Sequence, residues 1–278
     1  MSEDTNFTVL RNRHGLRLYL SNRYSFITET GIMEPKKFVQ ENSSSIIDYI
    51  SNTKISSIIL KTPQGDKRII AKEYLPRKGF KSIKDIFRNS KPVREFLTSL
   101  KLSELSIACP EPVAAAEIRK FRKISYCALF AEEMENSSSL HNLIKNSELS
   151  KLPEKRLITL SKSLASSIAY NHNKGFLHKD LNASHILISS FDKNTPSFHY
   201  IDFENSRLYK SALSVKLRAR DLIRLYKSVR SFVSERVMLR FLITYGRKSN
   251  TSPKLLLNQL QLLIANKLNN RKKALKKR

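Results

Sequence analysis

The 278-residue chain is long enough for one large domain or two lobes, and its 40% apolar and 27% charged residues exclude general disorder. Lys and Arg number 51 against 24 Asp and Glu, and the resulting charge of +27 points to polyanionic partners: nucleic acid, an anionic membrane surface or a phosphorylated glycolipid. The two cysteines, Cys109 and Cys127, lack metal-ligand spacing and read as reduced core residues of a cytosolic protein, not as a disulfide framework.

The first residues, MSEDTNFTVLRNRHG, contain no apolar h-region, so no secretory signal is expected. No run approaches the roughly 18 apolar residues needed to cross a bilayer, so any membrane contact is expected to be peripheral.

Leu16, Leu18 and Leu20 alternate with Arg17, Tyr19 and Ser21, which predicts a strand, and EPKKFVQ predicts a short helix with Pro35 in its first turn. Residues 1–45 are read as an N-terminal extension or the first strands of a sheet. Residues 54–62 and 67–74 are β-rich runs around Pro63-Gln64-Gly65-Asp66, hence a hairpin. Its second strand carries Lys72 after Ile69-Ile70-Ala71, as the V-A-I-K strand of kinases carries its phosphate-holding lysine; the plainer reading is a solvated strand face. No Gly-rich loop precedes this hairpin. Ser51, Asn52 and Thr53 stand at the corresponding turn, where small hydroxyls and backbone N–H groups are candidates to cradle phosphate.

KPVREFLTSLKLSEL predicts a helix opening at Pro92, with Val93, Phe96, Leu97, Leu100 and Leu105 as its apolar stripe. Glu95 is placed in its first turn, either favoured there by the helix dipole or paired with Lys72. Pro110 and Pro112 stop the helix, and VAAAEIRKF and ISYCALFAEEM predict two further strands. A hinge is expected at 132–136, with Glu133 as a nucleotide-side candidate. Ser137 to Ser139 offer helix N-caps. A long helix is predicted over 153–173 and ends at Gly175. Residues 215–246 read as one helical run, with Leu217, Leu222, Leu225, Val229 and Phe232 on one side and Gly246 and Pro253 as its breakers. The last helix is amphipathic and ends with six basic residues among the final eight.

The chemistry lies in GFLHKDLNASHILISSFDKNTPSFHYIDFENSR, residues 175–207. A loop carrying H-x-D, an apolar strand, a turn, a second strand and a D-F pair form the catalytic centre of protein-kinase-like phosphotransferases. Asp180 is then the general base toward an acceptor hydroxyl, with His178 beside it. Asp202 is the natural ligand for Mg²⁺, which prefers hard oxygen donors. Where protein kinases place a metal-binding Asn five residues after the base, this chain has His185, and Glu204 follows Phe203 in place of Gly. These parts predict an α+β, two-lobed protein-kinase-like fold: a β-rich N-lobe over 46–134 that binds nucleotide phosphates, and a mainly helical C-lobe over 135–278.

Over residues 55–241 the chain resembles the lipopolysaccharide core kinases, which phosphorylate Kdo or heptose. IIAKEYLPRKGFKSIKDIFRNSKPVREF, ACPEPVAA, GFLHKDLNASHILI with YIDFENSRL, and LRARDLIRLYKSV carry the resemblance. Asp180-Leu181-Asn182-Ala183 is similar to the Kdo kinases and His185 to the heptose kinases. The resemblance implies ATP as donor, Mg²⁺ as cofactor and a lipid-linked anionic oligosaccharide as acceptor. Lys72 and Glu95 would secure the ATP phosphates, and Asp202 with His185 would hold the metal. It also implies a cytoplasmic enzyme, peripheral on the cytoplasmic face of the inner membrane, with Arg77, Lys78, Lys81, Lys84, Arg88 and the 271–278 tail available to anionic groups.

Two other readings fit the same residues. One is a small-molecule or atypical protein kinase of this fold, although aminoglycoside-type enzymes usually carry Asn where His185 stands. The other is a basic pseudokinase binding anionic membrane or nucleic acid. Few aromatics are interleaved with the basic clusters, and no specific nucleic-acid partner is expected.

Overall fold

The alternation of Leu16, Leu18 and Leu20 does build a strand, and all three leucines are buried. In the computed structural model, which describes residues 6–50, 52–62, 65–75, 86, 88–191 and 196–263 (48–50 without their side chains), the chain divides into two units, Met1–Glu135 and Asn136–Arg278.

The first unit is a seven-stranded antiparallel sheet. Its strands are β1 (Phe7–Arg11), β2 (Leu16–Ser21), β3 (Ser43–Ile50), β4 (Thr53–Thr62), β5 (Gly65–Tyr74), β6 (Pro112–Lys120) and β7 (Lys123–Glu132), in the order β1-β2-β6-β7-β5-β4-β3. The early residues are therefore part of the sheet itself. The expected hairpin is β4–β5, in unbroken register from Thr53↔Tyr74 to Thr62↔Gly65; its Pro63-Gln64 tip lies outside the described residues. β3 carries no sequence signal, because Ile46 and Ile47 are adjacent and both half-exposed, which gives no period of two.

The two faces of the sheet are covered separately. On one face Leu18, Ala71, Ala114 and Phe130 pack with Phe38 and Val39 of helix α1 (Pro35–Asn42). On the other, Ala115 and Leu129 pack under Val93, Phe96 and Leu100 of helix α2 (Lys91–Glu104). The period-two geometry of a strand fixes which face each residue takes. Ala71 pairs with Phe130 on the α1 face, so its neighbour Lys72, paired with Leu129, must point toward α2.

The start of α2 is held by a buried carboxylate. Glu117 accepts from the Ser90 N–H (3.1 Å) and from Arg119 Nε (2.9 Å). Burial alone would raise its pKa, but the Arg119 and Ser90 hydrogen bonds outweigh it and hold Glu117 below its ordinary range.

The second unit begins with a short strand, β8 (Ser137–Ser139), and helix α3 (Leu140–Lys145), whose Asn142 N–H is capped by Ser139 Oγ at 3.0 Å. Helix α4 (Glu154–Asn173) follows. Gly175 then turns the chain with φ +81°, and a Cβ there would lie 2.3 Å from the Tyr209 carbonyl oxygen, so both the backbone angle and the space require glycine. Next come β9 (Phe176–Leu177), β10 (Ile186–Ser189), β11 (Ser197–Tyr200) and β12 (Arg207–Leu208), arranged as β11-β10-β8 and β12-β9.

The expected helical run 215–246 is two helices, α5 (Val215–Val229) and α6 (Glu235–Lys248). Ser234 caps the second by accepting from the Val237 N–H, and Phe232, expected on the apolar side, lies between them and is exposed. Gly246 does not end a helix: it sits within α6, where a Cβ would meet Pro253 Cγ at 2.7 Å, so its role is close approach of the following segment. Residues 253–263 are helical; the basic tail lies outside the described residues. Cys109 and Cys127 are free thiols, and burial pushes Cys109 up to about 11. Among the described residues no helix is long and apolar enough to cross a membrane.

Candidate active site

In the first unit Lys72 Nζ lies 3.5 Å from Glu95 Oε1, and Tyr74 OH donates to Glu95 Oε2 at 3.1 Å. The lysine is not on a solvated face, because the alternation of β5 turns it under α2. Glu95 is the fifth residue of that helix and lies past its first turn, so the dipole reading of its placement is replaced by the ion pair. Glu95 is 4% exposed. A carboxylate that buried needs its cation, and the pair fixes Lys72 in one position.

The β3–β4 register pairs Ile50 with Thr53, and Asn52 stands in the turn before β4. The Asn52 carbonyl accepts from the Leu75 N–H at 2.8 Å, while Ser51 lies outside the described residues. Glu133 follows β7; its N–H donates to the Arg68 carbonyl at 2.9 Å and its Oε2 accepts from Ser57 Oγ at 3.3 Å. Of the basic loop, Arg77, Lys78, Lys81 and Lys84 lie outside the described residues. Arg88 is described, and its carbonyl accepts from Arg119 Nη2 at 2.8 Å.

In the second unit the β10–β11 hairpin brings two distant residues together. Ile186 pairs with Tyr200, so His185, just before β10, faces Ile201 and Asp202, just after β11; the Ile201 N–H donates to the His185 carbonyl at 3.2 Å. His185 Nε2 then lies 3.2 Å from Asp202 Oδ2. Its Nδ1 donates to the Asp180 carbonyl at 2.8 Å, an acceptor only, which fixes the proton on that nitrogen. With Nδ1 as the donor, Nε2 turns its lone pair toward the Asp202 carboxylate, an arrangement that calls for a shared cation.

Asp180, His185 and Asp202 each offer a ligand atom, all within 4.8 Å of one another. Two carboxylates and one imidazole suit a divalent cation, with the oxygens providing the hard donors that Mg²⁺ prefers. Asp202 and Lys179 both hold positive φ (69° and 64°), strained backbone of the kind concentrated at functional sites.

His178 is placed differently. It is buried, its Nε2 donates to the Ile201 carbonyl at 3.0 Å, and its ring stacks on His185 at 5.7 Å. Burial lowers its pKa and keeps the ring neutral. Phe203 packs edge-on against Phe176 behind it.

Three residues absent from the sequence expectations complete the loop. Asp221, fully buried on α5, accepts from the backbone N–H groups of His178 (2.8 Å) and Lys179 (2.9 Å). Arg224, one turn on, donates to Asp180 Oδ1 at 3.1 Å. His172, at the end of α4, lies with Nε2 3.5 Å from Asp221 Oδ2, and its Nδ1 meets Tyr245 OH at 2.7 Å. The available signal was a charged residue on the apolar side of an amphipathic helix: Asp221 stands directly before Leu222 and Ile223.

The profile of the lipopolysaccharide kinase (Kdo/WaaP) family matches residues 73–245. Among solved structures, WaaP in complex with acyl carrier protein is similar at a TM-score of 0.63 and 19% identity, over 92% of this chain and 98% of that one. At that identity the likeness shows the fold. No curated protein matches the chain. The family match spans more than half of the residues and takes in both aspartates, and the chain belongs to the lipopolysaccharide kinase (Kdo/WaaP) family, the ATP-dependent kinases that phosphorylate core sugars.

Proposed function

We propose that the chain transfers the γ-phosphoryl group of ATP to a hydroxyl of Kdo or heptose in the lipopolysaccharide inner core. The convergence of Asp180, His185 and Asp202 carries this reading. Asp180 accepts the proton of the acceptor hydroxyl as its oxygen attacks. Asp202 and His185 hold Mg²⁺, which when bound neutralises charge on the phosphates. Lys72, fixed by Glu95, takes nucleotide phosphate, with Ser51, Asn52 and Thr53 as backbone and hydroxyl donors and Glu133 on the nucleotide side. His178, buried and neutral, orients the loop through its Nε2–H bond to the Ile201 carbonyl and takes no part in the proton transfer. The enzyme works as a peripheral protein on the cytoplasmic face of the inner membrane; the charge of +27 supports this placement.

The acceptor is tested by offering radiolabelled ATP with Kdo-lipid A, with heptosylated core and with a generic protein. Label in one of the glycolipids is the expected result, and it names the sugar. Label in protein alone would overturn the proposal.

The similar structure contains acyl carrier protein, and a feature of the second unit supports the same partner class here. An apolar cavity of about 670 Å³, lined by Leu160, Leu164, Ile188, Phe198 and Leu222 among others, has the volume and lining for an acyl chain. Co-purification with acylated but not with unacylated carrier protein is the expected outcome; equal recovery of both would contradict it.

A further inference from the structure

Helix α5 presents a basic stripe that touches the metal cluster only through Arg224 and that the nucleotide residues do not use. Lys216, Arg220 and Arg224 follow at intervals of four, and Lys227 comes three later, so all four share one face. All four are exposed, while Ala219, Leu222, Ile223 and Leu225 bury the other side. Among the described residues no carboxylate pairs with Lys216 or Arg220, so two positive charges stand one turn apart without compensation.

The row Lys216, Arg220, Arg224 leads to the reacting group. Arg224 donates to Asp180 Oδ1 at 3.1 Å. On the adjacent side of α5, Ser228 Oγ accepts from the Ala183 N–H at 3.0 Å, and Asp221 holds the His178 and Lys179 N–H groups. The orientation of the stripe toward the Asp180 loop is therefore fixed by hydrogen bonds at three points along the helix.

We propose that Lys216, Arg220 and Arg224 form the acceptor track: a binding site for the anionic substituents, phosphate or carboxylate, of the oligosaccharide that receives the phosphoryl group. This deepens the reading of the chain as a core-sugar kinase and rests on it. Lys216 and Arg220 hold charged groups on sugars flanking the acceptor. An anionic group reaching Arg224 competes with Asp180 for its guanidinium and frees Oδ1 to take the hydroxyl proton. Specificity follows, since a neutral sugar would leave the stripe unused. Anionic phospholipid presents similar chemistry, but spread over a plane; a short row ending on the catalytic base suits a chain that must deliver one hydroxyl there.

The test is the double charge reversal Lys216→Glu/Arg220→Glu in the full chain, with Lys216→Arg/Arg220→Lys as the charge-keeping control. Binding of deacylated, phosphorylated core oligosaccharide and of anionic phospholipid vesicles is measured separately, alongside kinetics. The expected result is a tenfold or greater loss of oligosaccharide binding and a matching rise in acceptor KM, with the KM for ATP and the melting temperature unchanged and the control near wild type. Unchanged oligosaccharide binding would overturn the proposal, as would a loss confined to the vesicles. Because binding is read without turnover, wild-type protein that binds the oligosaccharide but transfers no phosphate would sink the kinase reading and leave the track standing.

Discussion

Asp221 holds the loop that carries the candidate base: its carboxylate accepts the backbone N–H groups of His178 and Lys179 at 2.8 and 2.9 Å while being fully buried. Asp221→Ala leaves the buried His178 N–H without a partner, a cost of about 1–3 kcal/mol, and also removes the acceptor of the part-buried Lys179 N–H. The expected outcome is a urea midpoint lowered accordingly and a kcat that falls further than the KM for ATP rises. Asp221→Asn, which keeps an acceptor oxygen, should retain more of both. Wild-type stability and kcat in the alanine variant would contradict this role.

His185 and Asp202 make a separate prediction about metal. With its proton fixed on Nδ1 by the Asp180 carbonyl, His185 offers Nε2 to a cation shared with Asp202. His185→Ala should raise the Mg²⁺ concentration for half-maximal activity by about tenfold or more. His185→Asn, which restores an oxygen donor, should recover part of the loss. Identical metal titrations for wild type and the alanine variant would remove His185 from the metal site.

The Lys72–Glu95 pair, 3.5 Å apart and mostly buried, is proposed to fix the phosphate-holding lysine. Glu95→Gln keeps the shape and removes the charge, so Lys72 loses its anchor. A rise in the KM for ATP of about tenfold, equivalent to about 1.4 kcal/mol, is expected with the acceptor KM unchanged. An equal rise in both constants would indicate a general structural loss instead.

Much of this arrangement was readable in order but not in depth. Lys72 and Glu95 were legible as a pair of alternatives; what decided between them was the face on which β5 placed the lysine, a property of the Ala71↔Phe130 and Lys72↔Leu129 register. Gly175, Asp180 and Asp202 stood out because backbone geometry and chemistry restrict those positions to few residue types. Asp221, Arg224 and His172 did not, because their meaning depends on contacts 42 to 49 residues apart in sequence, such as Lys179 with Asp221 and His172 with Asp221. β3 was missed since its adjacent half-exposed isoleucines break the alternation, and the single run expected over 215–246 hid the break that Ser234 caps.

The buried histidines set a pH dependence. Burial lowers the pKa of both His172 and His178, so the folded protein keeps them neutral while the unfolded chain protonates near its ordinary value of about 6.5. In this window the unfolded state binds more protons, so stability is present in full above that value and is lost as pH falls below it toward the depressed folded values. The urea midpoint is expected to drop between pH 7.5 and pH 5.5, above the range in which most carboxylates titrate. A midpoint that rises over the same interval would contradict the neutral assignment of these rings.

The central claim is that Asp180 takes the proton of the acceptor hydroxyl. Its most direct test is ATP-dependent phosphate transfer to lipopolysaccharide core by Asp180→Ala, with ATP binding and thermal unfolding measured on the same preparation. The account predicts a fall in kcat of about 10²–10⁴-fold with ATP affinity and melting temperature retained. Transfer by this variant within tenfold of wild type would contradict it.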